Sequence, residues 1–565
     1  MKTLIKNAKL INVFTESIED TNILIEDSKI IGVGDYYTDN DADKVDDVKG
    51  RYVCPGFIDG HIHIESTMMV PHSLAKSVLP HGTTSVVTDP HEIANVCGID
   101  GIKYMLEMSE NIPLHVYVMI PSCVPATCFD EAGAVLNAED VEELYSEKRV
   151  IGLAEMMNYP GVIYNDAPTM DKIKSCLKKG YQIDGHAPML KGKDLDKYVA
   201  AGIHTDHECS EFKEAKEKIS KGQWIMIRQG SAAKNLEKLL PLFEAPFYSR
   251  CLLATDDRNP ADILDEGHID NIVRLAIKAG KDAVRTIKMA SLNSALCHNI
   301  SYTGAIAPGY NADILVLDDL NEVKIKDVYS LGKKVVSDGK TLDFEIPEAQ
   351  DMITGSVMNS FHMKDVKKED FFVEKKNGKC RVIEVIPGEI LTNELDINLN
   401  FDKNNGIDTD KDILKIAVIE RHKNTGHKGV GYIKGIGLKS GALAGSVSHD
   451  SHNLIVIGTN DEDMAVAANY IKKIGRGLAV VKDGEVLAKV KLPVAGLMST
   501  DSAEKIAEDN KTLRTEASKL GVNDNIEPFM NMAFVSLPVI PELKMSTNGL
   551  VKVSQFKRVE LFTED

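Results

Sequence analysis

The chain has 565 residues, which is enough for roughly two to four domains with a sizeable core and excludes a single small binding module. Its 66 Lys and Arg against 85 Asp and Glu give a net charge of −19, which disfavours a nucleic-acid partner and favours a small molecule. The 9 Cys contain no Cys-x-x-Cys pair, so we expect reduced thiols. No signal-peptide core and no run of about 18 apolar residues occurs, so we expect a cytoplasmic protein without a membrane partner.

Short β-branched runs separated by turn residues mark two separate stretches of the chain. Residues 2–55 carry such runs, for example Leu10–Val13, and predict an antiparallel β unit. A similar texture returns at 304–345. We expect the two pieces, taken as residues 1–55 and 305–349, to form one small β-sandwich that brackets an inserted domain.

Eight apolar runs rich in Val and Ile lie within residues 56–304, and each is followed by a helix-like stretch. Near-continuous apolar strands that alternate with helices predict a parallel sheet covered on both faces, and eight such units predict a (β/α)₈ barrel. The chemistry of that fold lies where the strands end, at the C-terminal edge of the barrel. The eight runs end in polar residues at His63, Asp89, Ser122, Glu155, His186, His207, Arg228 and Asp256.

Residues 350–565 change to mixed strands and helices, which predicts a separate C-terminal α+β domain. The predicted fold class is therefore α/β, with a barrel inserted in a β-sandwich and an α+β domain after it. A glycine-rich stretch at 426–446 is not a phosphate loop, because Leu438 stands where that motif needs Gly before Lys439. We expect its glycines to serve turns and close packing.

The polar strand ends predict a metal centre. His61 and His63 are two residues apart on one strand, so both imidazoles share a face and can reach one ion. The other metal-competent groups at strand ends are Glu155, His186, His207 and Asp256. One divalent ion typically takes about three or four protein ligands, so six ligands predict two ions. Two ions that share a hydroxide supply a nucleophile for hydrolysis without Ser or Cys.

The arrangement of these ligands follows from the strand order. Glu155 lies on the strand opposite the two histidines and is the expected bridge between the ions. We expect His61, His63 and Asp256 to favour one ion. We expect His186 and His207 to favour the other.

The segments PGFIDGHIHIEST, TSVVTDPHEIANVCG, DGHAPML, HTDHECS and ATDDRNP resemble the amidohydrolase superfamily and, within it, the adenine deaminase branch. The resemblance covers essentially the whole chain. Many amidohydrolases bridge their ions with a carboxylated lysine, whereas the matching strand here carries Glu155, as in that branch. The resemblance implies hydrolytic deamination of adenine to hypoxanthine and ammonia in purine salvage, with two divalent ions per chain, usually Mn²⁺ or Fe²⁺.

The implied mechanism assigns catalytic roles to two carboxylates. Hydroxide would attack C6 of the purine, and Asp256 would take its proton and deliver it to N1 or the leaving amine. The alternative is that Asp256 is only a ligand. Glu208, next to His207, could protonate or hydrogen-bond a ring nitrogen, but it reaches the pocket only if its strand has already ended.

Four further residues are candidates for substrate binding. His91 and Glu92 follow the second strand, where they could bind substrate, orient His61 or His63, or simply start a helix. Arg228 could hydrogen-bond the purine or hold Glu155. His449 lies in a segment that the resemblance places over the barrel mouth, although its His-x-x-His spacing is equally compatible with a metal site or a capped loop.

Three alternatives to this function stay open. Another binuclear amidohydrolase, such as an N-acyl sugar deacetylase or a cyclic amidase, would use the same ions on a different substrate. A non-catalytic barrel scaffold predicts lost ligands, whereas all six are present. A nucleic-acid-editing deaminase is disfavoured by the charge, and His63-Ile64-Glu65 lacks the Pro-Cys-x-x-Cys partner of the cytidine-deaminase type. A homo-oligomer is compatible with the sequence.

Overall fold

The N-terminal flank forms a mixed sheet rather than a purely antiparallel one. The computed structural model describes residues 1–231, 233–387 and 389–563. Strands β1 and β2 pair antiparallel, whereas β4 and β5 both pair with β1 in parallel. The reason is the length of β1, which leaves room for two short strands on its second edge. The strands are β1 (Lys2–Asn12), β2 (Ser17–Glu26), β3 (Lys29–Val33), β4 (Lys44–Asp47) and β5 (Tyr52–Pro55).

All eight apolar runs of the central region form strands, and neighbouring strands pair in parallel. They are β6 (Phe57–Ile62), β7 (Thr83–Thr88), β8 (His115–Ile120), β9 (Val150–Met156), β10 (Gln182–Gly185), β11 (Thr205–Asp206), β12 (Trp224–Arg228) and β13 (Cys251–Ala254). Five form one sheet in the order β10-β9-β8-β7-β6, and three form another in the order β11-β12-β13. The two sheets meet where the Asp256 N–H donates to the His61 carbonyl (2.9 Å) and the His204 N–H donates to the Ile183 carbonyl (3.1 Å).

Helices follow these strands and complete an α/β, TIM-barrel-like domain. β6, β7 and β13 are buried along their whole length, as expected for parallel strands that are covered on both faces. Within the described residues no helix combines the length and apolarity needed to cross a membrane. The helices are α1 (Pro71–Val78), α2 (His91–Glu107), α3 (Ala138–Glu142), α4 (Tyr159–Ile163), α5 (Ala167–Lys178), α6 (Gly192–Ala200), α7 (Phe212–Ser220), α8 (Leu236–Leu239), α9 (Pro260–Asp265), α10 (Ile269–Lys278), α11 (Ala283–Met289) and α12 (Leu292–Cys297).

The chain after the barrel returns to the N-terminal flank. β14 pairs antiparallel with β5, so strands from both flanks share one nine-stranded sheet. Its order is β17-β16-β15-β14-β5-β1-β2-β3, with β4 beside β1. A common core of buried aliphatic side chains, among them Ile5, Ile23 and Ile314, joins the two flanks. The returning strands are β14 (Ile314–Asp319), β15 (Lys324–Ser330), β16 (Lys333–Ser337) and β17 (Lys340–Thr341).

The last third of the chain forms an eight-stranded sheet with helices packed on it, in the order β19-β18-β21-β20-β23-β22-β24-β25, and a separate three-stranded sheet of β26, β27 and β28. The strands are β18 (Cys380–Val385), β19 (Thr392–Ile397), β20 (Ile413–Ile419), β21 (Lys428–Lys434), β22 (Ala442–Gly445), β23 (Leu454–Gly458), β24 (Gly477–Lys482), β25 (Glu485–Lys491), β26 (Leu543–Ser546), β27 (Gly549–Lys552) and β28 (Lys557–Val559). The helices are α13 (Asp351–Met358), α14 (Asp461–Ile474), α15 (Ala503–Lys519) and α16 (Pro528–Phe534).

The glycine-rich stretch serves a turn and close packing, as its sequence predicts. The N–H groups of Gly435 and Gly437 donate to the two carboxylate oxygens of Asp412 (2.8 and 2.7 Å). Gly435 has φ +103°, and a Cβ there would lie 2.6 Å from the Val385 carbonyl oxygen. Both the backbone conformation and the space therefore require glycine at this position.

The C-terminal region packs directly on the barrel. Val494, Leu497 and Met498 belong to the same buried cluster as the barrel strands. Asn453 donates a side-chain hydrogen bond to the carbonyl of Glu131 (2.8 Å), which lies in the loop after β8. These contacts hold the segment that contains His449 over the C-terminal edge of the strands.

Candidate active site

His61, His63 and Asp256 converge at the junction of β6 and β13. Both histidines are buried, and the Nε2 atoms of His61 and His63 lie 3.5 and 3.1 Å from Asp256 Oδ1. Asp256 has a left-handed backbone conformation (φ +58°) two residues after β13, and its N–H donates to the His61 carbonyl. The turn directs the carboxylate back towards β6, so the three predicted ligands of one ion lie together.

Glu155 lies between two groups of donors. Its Oε1 atom is 3.4 Å from His63 Nε2, while Oε2 is 2.7 Å from His186 Nδ1 and 3.1 Å from His207 Nε2. Burial raises the pKa of Glu155, but the charges and hydrogen bonds of His186 and His207 outweigh it and hold the pKa well below the ordinary value. The carboxylate is therefore ionised, and each oxygen serves a different side of the centre.

The six predicted ligands fit divalent ions. Each belongs to at least one group of three or more His and carboxylate side chains whose donor atoms lie within 4.8 Å of one another. Within the described residues, the buried Nε2 atom of His61 has no hydrogen-bond partner. A buried ring nitrogen without a partner costs free energy, and coordination to an ion would satisfy it. Imidazole and carboxylate donors suit the divalent transition metals.

Glu208 and Arg228 reach the same centre. β11 ends at Asp206, so strand alternation stops before Glu208, whose Oε1 atom lies 3.4 Å from His207 Nε2. Arg228, the last residue of β12, donates from Nη1 to Glu208 Oε1 and Asp256 Oδ2 (both 2.5 Å). Burial raises the pKa values of Glu208 and Asp256, but the Arg228 charge together with the neighbouring histidines outweighs it, so both pKa values lie below the ordinary value. We expected Arg228 either to hydrogen-bond the purine or to hold Glu155. In the structure the carboxylates that it holds are those of Glu208 and Asp256.

Asp89 was not among the predicted site residues, although it ends the second strand as several ligands end theirs. Its Oδ2 atom is 3.1 Å from His91 Nδ1, and its backbone carbonyl is 3.0 Å from His63 Nδ1. His91 Nδ1 also lies 3.6 Å from Glu155 Oε1. Asp89 therefore orients two rings at the centre, and the signal that could have found it was its place at a strand end.

Glu92 joins the barrel to the C-terminal region. Its two carboxylate oxygens lie 2.9 Å from His449 Nδ1 and 2.9 Å from His452 Nε2. The Ser448 N–H donates to His452 Nδ1 (3.2 Å), so the neutral ring of His452 carries its proton on Nε2, facing Glu92. A protonated nitrogen cannot bind a cation, so this arrangement favours a Glu92 carboxylate that is ion-paired with His449 over a third metal site. Burial lowers the pKa of His449, but the Glu92 charge outweighs it and raises that pKa to about 9. Sequence reasoning had not singled out His452 as a site residue of its own.

A cavity of about 50 Å³ lies over the centre. Predicted site residues from the barrel line it, including His91, Glu92, Glu208 and Arg228. The C-terminal region adds His449, Asp450, Ile390, Phe534, Leu537 and Ile540. His449 and Asp450 belong to the His-x-x-His segment that the sequence analysis considered. The other four C-terminal residues were missed, because they lie far along the chain from the barrel in segments that carry no local motif.

A buried ion pair supports the loops after β10 and β11. Lys218 Nζ is 3.0 Å from Asp206 Oδ2, and both side chains are inaccessible to solvent. The carboxylate of Asp206 also accepts the N–H groups of Ala187 (3.1 Å) and Glu208 (2.9 Å). These bonds hold the chain on either side of His186 and His207.

Removal of Lys218 should be strongly destabilising. We expect Lys218→Met to lower the free energy of unfolding by about 3–5 kcal/mol, because it leaves the Asp206 carboxylate buried without a cation. Lys221→Met is the matched control, since Lys221 pairs with the exposed Asp196 and should cost less than about 1 kcal/mol. Urea titration followed by circular dichroism measures both. Equal urea midpoints for the two variants would contradict the assigned role of Lys218.

The chain matches two family models and a series of full-length relatives. The amidohydrolase family matches residues 52–342, and the adenine deaminase C-terminal domain matches residues 389–557. Adenine deaminase 2 of Carboxydothermus hydrogenoformans is 45% identical over 557 residues, which cover 98% of this chain and 96% of that protein. Adenine deaminase of Clostridium acetobutylicum is 44% identical, with coverage of 98% and 96%. The chain belongs to the adenine deaminase family of amidohydrolases.

Proposed function

We propose that this chain is a metal-dependent hydrolase that deaminates adenine to hypoxanthine and ammonia. The observation that carries the proposal is the carboxylate of Glu155, whose two oxygens face separate groups of donors. That arrangement suits a pair of ions in a chain of this family. The expected ions are Mn²⁺ or Fe²⁺, two per chain at this centre.

We assign His61, His63 and Asp256 to one ion and His186 and His207 to the other, with Glu155 as the bridge. When bound, divalent ions lower the pKa of water and make hydroxide available at neutral pH. The chain supplies the orientation of the rings. His63, for example, is held through Nδ1 by the Asp89 carbonyl (3.0 Å).

Asp256 is the proposed proton shuttle. Its Oδ1 atom lies at the histidines and its Oδ2 atom accepts from Arg228, so the carboxylate is held in one orientation. Because Arg228 lowers its pKa, Asp256 starts ionised and can accept the proton of the attacking water. It then delivers that proton to N1 or to the leaving amine of the purine.

Glu208 is the proposed partner of a ring nitrogen. Arg228 lowers its pKa, so Glu208 is ionised and accepts a hydrogen bond from a purine N–H. We place His91 and Arg228 beside the base, since both line the cavity over the centre. Glu92 and His449 line the same cavity, where Glu92 holds the His449 ring at its wall.

The domain arrangement that accompanies this function is also a proposal. We propose a closed (β/α)₈ barrel over residues 56–304, inserted in a β-sandwich of residues 1–55 and 305–349. The C-terminal α+β domain then covers residues 350–565. The nine-stranded sheet shared by both flanks supports the bracket. The hydrogen bond from the Asp256 N–H, two residues after β13, to the His61 carbonyl of β6 supports closure. A cytoplasmic location and the lack of nucleic-acid and membrane partners stay predictions.

An ammonia-release assay tests the activity. Purified protein reconstituted with Mn²⁺ is offered adenine, adenosine, guanine and cytosine. Dihydrouracil and N-acetylglucosamine represent the alternative amidohydrolases, and because their hydrolysis releases no ammonia, chromatography follows the loss of these two compounds. We expect adenine to be deaminated, with at least two ions per chain. If the cyclic amide or the acyl sugar is hydrolysed and no base is deaminated, the proposed metal centre stands but adenine is not the substrate. If protein with its full metal content hydrolyses none of these compounds, a non-catalytic scaffold is favoured.

A further inference from the structure

A second and larger cavity adjoins the one over the metal centre. Its volume is about 650 Å³, and it lies between α9 of the barrel and α15 and α16 of the C-terminal region. Four residues line both cavities: Glu92, Asp257, His449 and Phe534. The two spaces are therefore neighbours separated by these side chains.

The cavity over the metal centre is too small to hold a purine as it stands. Its 50 Å³ corresponds to roughly three or four water-sized probes, whereas ligand pockets usually measure about 300–1,000 Å³. The larger cavity falls within that range. A base must therefore displace a side chain to reach the centre, and the larger cavity provides the space from which it can do so.

The walls of the larger cavity carry apolar side chains beside charged ones of both signs, among them Asp265 and Arg514, and the apolar part suits a flat, uncharged ring. Apolar side chains such as Met68, Leu264 and Phe529 supply faces for stacking, and Glu65 stands among them. Glu65 is 2% exposed; its Oε1 atom accepts the Ile93 N–H (3.1 Å), while Oε2 has no hydrogen-bond partner within the described residues. A ligand N–H, such as a purine presents at its edge, would satisfy that oxygen.

The wall between the cavities is an aromatic pair from the C-terminal region. The rings of His449 and Phe534 stack with centroids 4.4 Å apart and an interplanar angle of 13°. His449 is anchored by Glu92 (2.9 Å), which in turn contacts His452 (2.9 Å). Phe534 is the last residue of α16, and its hydrocarbon side chain can form neither a hydrogen bond nor an ion pair. Phe534 packs with Leu537 and Ile540 through apolar contacts, so displacing its ring breaks no side-chain hydrogen bond or ion pair, whereas displacing His449 would.

We propose that the larger cavity is the entry site for an uncharged planar base, which reaches the metal centre by displacing Phe534 from the His449 ring. The proposal rests on the proposed function for the identity of the base, and it makes the C-terminal domain part of substrate selection. Glu65 is the hydrogen-bonding group of the entry site. Phe534 is a positioning residue, since it acts through access to the centre.

A plug in the entry site tests the proposal. Ala507 on α15 lines the larger cavity, and Ala507→Trp fills space there without touching a proposed ligand. Thr512→Trp is the matched control, an exposed position on the same helix. We expect Ala507→Trp to lower kcat/KM for adenine at least tenfold with unchanged metal content, and Thr512→Trp to match the unaltered protein. If Ala507→Trp fails to fold, Ala261→Trp on the opposite wall, from α9, takes its place.

A binding measurement separates this proposal from the proposed activity. Equilibrium dialysis with labelled adenine is done in the Asp256→Asn background, where turnover is expected to fall by about 10²–10⁴-fold, with the adenine that remains intact quantified at the end. The unaltered protein is used if it does not deaminate adenine. Weaker retention of adenine with Ala507→Trp than with Thr512→Trp supports the entry site whatever the activity. Equal retention would show that the larger cavity does not hold the base, and equal kcat/KM in active protein would show that the base enters by another route. Either result would overturn the proposal.

Discussion

Asp256→Asn is expected to reduce kcat for adenine by about 10²–10⁴-fold while KM changes little. This reduction is the range typical of general acid–base catalysis. The amide keeps the shape of the carboxylate and one of its oxygens, but it cannot accept the proton of the attacking water. In the variant the single amide oxygen can accept from Arg228 or face the histidines, but not both, so metal content has to be measured together with the rate. Initial rates over a range of adenine concentrations, with metal content recorded, measure the effect.

Asp257→Asn is the matched control for this variant. Asp257 is the next residue and accepts a hydrogen bond from Ser66 Oγ (2.5 Å), which an amide oxygen can also accept. We expect its rate to stay within about tenfold of the unaltered protein. If Asp256→Asn keeps two ions and a comparable rate, Asp256 is only a ligand and Glu208 becomes the first candidate for proton transfer.

Glu155→Gln is expected to lose metal as well as turnover. Changing a residue that merely orients a ligand typically costs about 10–100-fold in metal affinity, and Glu155 is proposed as a ligand to both ions, so its loss should cost at least that much. The amide also removes the negative charge that faces His63, His186 and His207. Metal analysis after dialysis at limiting Mn²⁺ should give fewer ions per chain than the unaltered protein, and the rate should fall with it.

The control for Glu155→Gln is another buried glutamate beside the centre. Glu65 lies two residues after His63 and belongs to none of the clusters of metal-competent donors found in the described residues. Glu65→Gln should therefore keep its metal content. Should Glu155→Gln retain both ions and full activity, Glu155 would not bridge them and the centre would have to be reassigned around His186, His207 and Glu208.

The candidate ligands could be predicted because strand geometry is local. His61 and His63 are separated by one residue, so the alternation of a strand places both on one face wherever the strand lies. His186 and His207 each follow the end of an apolar run, and the ends of parallel strands meet at one edge of the sheet. Asp89 also follows an apolar run, so the same argument from strand ends would have placed it at the candidate active site. The antiparallel expectation for the N-terminal flank was wrong because strand pairing depends on which edges stay free, and that is not a local property.

The amino-acid sequence alone determined the succession of strands and the identity of the six candidate ligands, because each depends on spacing over a few residues. Only the tertiary structure decided that Arg228 pairs with Glu208 and Asp256, since these side chains come from three different strand ends. It also decided that Glu92 holds His449 and that Phe534 separates two cavities. Arg228 lies 20 and 28 positions from its partners on neighbouring strands, whereas Glu92 and His449 are more than 350 positions apart. Such contacts arise only when strands assemble into a sheet or complete domains dock and exclude water between them.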